Sequence, residues 1–176
     1  MVCIGSQLTF CSPGNILRRT AVERDDCGIV TRIFSLDESQ VESANTLFYD
    51  GIISAEMVSL KQHVTCGKIA ELTAGYCYID ASEENFSEKI INHLNPIILD
   101  FGDLTLNEIN TKLVEIAQQC SQISVFDIIT GCVYHPASVL GYKAELIQQR
   151  QTKLLLWQNV DLLNKILTVA TNIREF

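Results

Sequence analysis

Apolar positions recur every three or four residues along much of this chain, and that spacing predicts helices. The cleanest run is 106–120. Leu106, Ile109, Leu113, Ile116, Ala117 and Cys120 fall at offsets 0, 3, 7, 10, 11 and 14, one face of a helix. "TLNE" (105–108) precedes it as a capping box, in which the threonine caps the backbone and the glutamate returns to the cap amide. A second box, "SLDE" (35–38), opens a predicted helix carrying Leu36, Val41, Ala44, Leu47 and Phe48 on one side. Gly51 interrupts it, and "IISAEMVSLKQHV" resumes the pattern. "SEENFSEKIINHLN" predicts a further helix, capped by Asp80 or Ser82 and ended by Pro96.

Other stretches are less decided. "CGKIAELTAGYCYI" (66–79) reads as part helix and part extended, and "ISVFDIITGCVY" (123–134) as a buried helix or a strand. "NILRRTAVER" (15–24) reads as a helix capped by Asn15, after the turn signal "CSPGN"; "GIVTRIF" (28–34) alternates weakly, as a short strand does. Pro136 suits the first position of a last, long helix running to about residue 172. Its second half is apolar around a wide arc, more than one core face needs, so self-association through Leu155, Leu162, Ile166 and Val169 is expected. The pattern as a whole predicts an all-α fold of two helical lobes, 1–95 and 96–176, with a short extended N-terminal segment and a C-terminal oligomerisation helix.

Composition is that of a globular chain: 176 residues, 47% apolar and 19% charged. The net charge of −8 argues against a nucleic-acid binder, but the charge is unevenly placed. Residues 1–35 are net +1, 36–130 net −11 and 131–176 net +2. All six arginines lie in the two ends: Arg18, Arg19, Arg24, Arg32, Arg150 and Arg174. Lys143, Arg150 and Lys153 form one stripe on the predicted last helix. With Arg18, Arg19, Arg24 and Arg32 they make a candidate phosphate-tracking groove, because a guanidinium grips phosphate with two parallel hydrogen bonds. The alternative is a solvated surface paired with the acidic middle.

Seven scattered cysteines, an odd number, suit free thiols in a reducing compartment, so a cytoplasmic location is expected. The N-terminus lacks the basic leader of a secretory signal, Val2 stands where myristoylation needs glycine, and no stretch approaches a membrane span of about 18–20 apolar residues.

Candidate chemistry is thin. "DFGD" (100–103) matches the kinase metal triplet without the rest of a kinase. "HVTC" (63–66) and "CVYH" (132–135) each set a histidine and a cysteine three apart. His63, Cys66, Cys132 and His135 are therefore four zinc-type donors, or else buried thiols and polar histidines near helix ends. A Cys132–His135 nucleophile lacks a third orienting group. No enzyme activity, metal, cofactor or small-molecule substrate is expected.

Size, helical pattern, free thiols and the stretch "CSPGNILRRTAVER" together resemble the small all-helical RNA-silencing suppressors of plant closteroviruses. That resemblance implies a viral accessory protein of host–virus interaction, acting in the host cytoplasm. It also implies a ring-like homo-oligomer that binds double-stranded RNA along its backbone without reading sequence. The competing expectation is a protein–protein adaptor or chaperone-like module using the apolar C-terminal segment, with no nucleic-acid binding.

Overall fold

A computed structural model describes residues 2–37, 46–146 and 153–176. The chain is mixed α/β, with more strand than helix, and this overturns the all-α expectation. The described residues divide into two units.

The first unit comprises 1–56, 145–159 and 173–176 and is built on a six-stranded sheet. Its strands are β1 (Val2–Ser12), β2 (Asn15–Arg24), β3 (Val30–Ser35), β4 (Thr46–Ala55), β7 (Leu154–Gln158) and β8 (Asn172–Glu175), in the order β3-β2-β1-β4-β7-β8. β1 pairs antiparallel with β2 and parallel with β4, and β4 pairs antiparallel with β7.

"NILRRTAVER" is therefore a strand. The turn signal before it is a hairpin: Ser12 pairs with Asn15, leaving Pro13 and Gly14 as the two central residues. Gly14 has φ +81°, which a side chain would resist. The hairpin then matches Phe10 with Ile16 and Ile4 with Val22. These cross-strand apolar pairs outweigh a weak helical spacing of three residues.

Among the described residues, the predicted long C-terminal helix is reduced to the short helix His135–Val139, with Pro136 in its first turn, and Leu154–Gln158 is a strand. Leu154, Leu155, Leu156 and Trp157 are all buried because β7 lies inside the sheet and is covered on both faces. A strand buried on both faces reads as a continuous apolar run, and that run is what looked like a wide helical arc. Beyond it, residues 159–171 form turns closed by the Asp161–Ile166 bridge before β8 begins. The helix predicted over 46–55 is β4, and the part of it over 38–45, with Val41 and Ala44, lies outside the described residues.

The second unit, 57–144 with 160–172, holds all the described helices: α1 (Cys66–Leu72), α2 (Phe86–Ile91), α3 (Leu106–Gln119), α4 (Val125–Ile129) and α5 (His135–Val139). A π-turn, Thr130–Tyr134, joins the last two. Two parallel strands, β5 (Cys77–Asp80) and β6 (Ile97–Asp100), pair in register with α2 as part of their crossover. The Thr105–Glu108 capping box is present at the start of α3: the Glu108 carboxylate accepts from the Thr105 amide at 2.7 Å. The 66–79 stretch is part helix and part strand, as its pattern suggested. The 123–134 stretch is helical and buried. Gly131 lets it lie against β6, since a Cβ there would sit 2.9 Å from Ile97 Cγ1.

Candidate ligand cleft at the ends of the parallel strands

β5 and β6 each end in an aspartate, and the register sets Asp80 beside Asp100. Parallel pairing brings both to the carboxyl edge of the strands, where open α/β units hold their ligands. The two carboxylates are used differently.

Asp100 is fully buried. Its Oδ2 accepts from the Leu60 amide at 2.9 Å, the Lys61 amide at 3.1 Å and the Tyr78 hydroxyl at 3.0 Å. Its Oδ1 accepts from the Gly102 amide at 2.9 Å. Four donors around one carboxylate compensate its burial. They also tie the 60–61 segment to both strands.

Asp80 is partly open to solvent. Its Oδ1 accepts from the Ser82 amide at 2.9 Å and the Ser82 hydroxyl at 2.6 Å. Its Oδ2 forms an ion pair with Lys61 Nζ. Burial alone would raise the Asp80 pKa, but the hydrogen bonds from Lys61 and Ser82 outweigh it and hold it below the ordinary value. The hydrogen bond to Asp80 chiefly raises the Lys61 pKa, against an opposing effect of burial. Burial, then the charge and hydrogen bond of Asp100, push the Tyr78 phenol up. At neutral pH all three groups are thus fixed in their ordinary protonation states.

The signs define a pH window. Asp80 stabilises the fold above the ordinary carboxylate pKa of about 3.9, and this is lost as pH falls through its lowered folded value. Lys61 stabilises below the ordinary lysine pKa of about 10.4, and this is lost as pH rises through its raised folded value. Lys61→Met should weaken the acid side of the stability profile. The check is the urea midpoint of the 222 nm helical signal from pH 2 to 8; an acid limb identical to that of the parent would refute the coupling.

Beside this network lies an open cleft of about 600 Å³, lined by Lys61, Asp80 and Tyr78 on one side and by Ile69, Ala70 and Tyr76 on another. The Tyr76 ring packs on His135 with centroids 5.0 Å apart, which steadies it. Cys66 stands exposed at the rim.

The sequence-predicted residues are distributed otherwise. Arg18 and Arg19 are exposed on β2 and Arg32 on β3. Arg19 pairs with Asp37 at 3.0 Å, and Arg32 lies 4.5 Å over the Phe34 ring. Arg24 is half-buried; burial lowers its pKa against the opposing charge of Glu175. Lys153 pairs with Glu175 at 3.2 Å. Lys143 belongs to the second unit, and Arg150 lies outside the described residues. Among the described residues, neither Lys143 nor Lys153 lies in a helix.

Leu155 is buried in β7. Leu162 and Ile166 are half-buried in the 159–171 turns, and Val169 is exposed. Only Leu155 of these four belongs to the first unit.

The four zinc-type candidates all lie in the second unit. His63 Nδ1 meets the Ser59 carbonyl at 2.7 Å, and His135 Nδ1 meets the Ile97 carbonyl at 2.6 Å. Cys132 is fully buried, and burial drives its thiol pKa up. Among the described residues no group of three or more potential ligands converges on a metal position.

The network of Lys61, Tyr78, Asp80 and Asp100 was not singled out from the sequence. Its signal was two apolar runs each ending in aspartate, "CYID" and "IILD". The sequence pattern instead offers Asp80 or Ser82 as a helix cap and places Asp100 in "DFGD".

No protein-family model matches the chain, and no curated protein matches it. Among solved structures, the chain is similar to N-acetyl-D-glucosamine-6-phosphate deacetylase from Mycobacterium smegmatis, with 10% identity and a TM-score of 0.28. The likeness covers 69% of this chain and 30% of that one. At this depth it carries nothing about activity. Among the described residues no helix is long and apolar enough to cross a membrane.

Proposed function

We propose that this protein binds a small, neutral, hydroxyl-bearing molecule in the cleft at the ends of β5 and β6, without acid–base chemistry of its own. The observation that carries the reading is the Lys61–Asp80 pair at the cleft wall, braced by Ser82 and by the fully bonded Asp100. The carboxylate accepts from one hydroxyl and the ammonium beside it donates to the neighbouring one, which suits a polyol. Lys61, Asp80 and Asp100 together sum to −1, so a phosphorylated ligand is disfavoured. Ile69, Ala70 and the Tyr76 ring offer an apolar face for the ligand's carbon skeleton. A general acid or base works best with a pKa near the operating pH, whereas Lys61, Asp80 and Tyr78 are all shifted away from neutrality. This reading proposes a small-molecule partner where the sequence predicts none.

The test is a thermal-unfolding panel read at 222 nm, using glycerol, cyclitols and monosaccharides beside their phosphate esters. A neutral member at a hundred times its Kd should stabilise by about 2.7 kcal/mol. Its phosphate ester should not, and Asp80→Asn should abolish the response. A response from no neutral member, or an undiminished response in Asp80→Asn, would overturn the reading.

A second reading, contact with RNA backbone, keeps one supporting observation. Arg18, Arg19 and Arg32 are exposed on adjacent strands, and β3 is an edge of the sheet. It requires binding that falls steeply with salt and weakens for all sequences alike in the Arg18→Ala/Arg19→Ala double variant.

A further inference from the structure

α2 and α3 both end at a second cavity of the same unit, about 430 Å³ in volume, which shares no lining residue with the cleft at Lys61 and Asp80. Its apolar wall is Ile90, Ile91 and Ile123, and its polar wall includes His93 and Asp127. The charge is one-sided: Asp127 lines the cavity, and among the described residues no lysine or arginine does. α3 ends here without a basic residue in its last turn, so the negative end of its dipole adds to that field.

The proton positions sharpen the chemistry. His93 Nδ1 meets the Ile90 carbonyl. A carbonyl only accepts, so Nδ1 carries the hydrogen, and in the neutral ring Nε2 is an acceptor. The Cys120 thiol is occupied with the Ser87 carbonyl at 3.5 Å; burial, and then Glu115, raise its pKa and keep it neutral.

We infer that this cavity binds a small organic ammonium, a protonated primary amine on a short apolar body. The ammonium lies against Asp127 and the His93 ring, and the apolar body against Ile90, Ile91 and Ile123. This site stands independently of the polyol reading, because it uses different residues and calls for a cationic rather than a neutral ligand.

Benzylamine, benzyl alcohol and benzoate are matched probes for it, titrated at pH 8 against the full chain by ligand-observed NMR. Benzylamine should bind at least tenfold more tightly than benzyl alcohol, and benzoate should not bind. Asp127→Asn, at an exposed position that should not compromise folding, should erase the tenfold preference. Asp80→Asn, in the other cleft, should leave it unchanged. Equal binding of the amine and the alcohol would overturn the inference, as would no amine binding at millimolar concentration. A preference that survives Asp127→Asn, or that vanishes in Asp80→Asn, would overturn it too.

Discussion

Asp100→Ala is expected to unfold the second unit while leaving the first sheet folded. The substitution leaves the Leu60, Lys61 and Gly102 amides and the Tyr78 hydroxyl without their acceptor, around a position that is fully buried. An orphaned buried donor costs about 1–3 kcal/mol. Even with partial relaxation and water entry, four of them approach the whole stability of a small domain, about 5–15 kcal/mol. Asp100→Asn should cost far less. Its remaining oxygen can take the place of Oδ2 and keep three of the donors, so only the Gly102 amide faces an amide nitrogen. Two signals separate the units within one sample. All described helices lie in the second unit, and the single tryptophan, Trp157, lies in the first. In Asp100→Ala the 222 nm signal should be lost at much lower urea than the shift in Trp157 emission. A helical midpoint within experimental error of the parent would show that Asp100 does not hold the unit together.

What the sequence revealed, and what it hid, follows from how local each signal is. The α3 capping box and its apolar stripe lie within sixteen consecutive residues; the box is present, and Leu113, Ile116 and Cys120 of the stripe are buried. The helix-to-strand change inside 66–79 is likewise local. β2 and β7 depend on partners far along the chain. Val22 becomes a strand residue because Ile4 lies opposite it, and Leu156 because Ile53 does. Periodicity does not register such partners, so an apolar run at Leu154–Trp157 passed for a helix face. The site was hidden for the same reason. Asp80 and Asp100 are twenty positions apart and adjacent only through parallel register, and Lys61 reaches them from outside both strands. The basic candidates are distributed along the chain: Arg18, Arg19 and Arg24 on β2, Arg32 on β3, Lys143 in the second unit, Lys153 in the first, and Arg150 outside the described residues.

Trp157→Ala is the variant that best separates a buried β7 from an exposed C-terminal face. Trp157 has no solvent exposure and stands opposite Ile52 on β4. Its indole Nε1 donates to Ser54 Oγ at 2.9 Å, the diagonal neighbour on the same face of the sheet. Truncating a fully buried aromatic removes its transfer free energy and leaves a cavity, about 3–5 kcal/mol in total. Trp157→Phe keeps most of the ring contact and loses the one hydrogen bond, a net loss of about 1 kcal/mol. Because both variants remove the fluorescent reporter, cysteine trapping provides the readout. Cys3 and Cys11 are buried in the first unit, Cys120 and Cys132 in the second. Mass spectrometry after alkylation in graded urea should find Cys3 and Cys11 exposed early in Trp157→Ala and only slightly early in Trp157→Phe. Cys120 and Cys132 should follow the parent in both. A surface tryptophan of an amphipathic helix would change stability by no more than about 0.5 kcal/mol on truncation. Unchanged protection of Cys3 and Cys11 would therefore contradict the β4–β7 pairing inside the sheet.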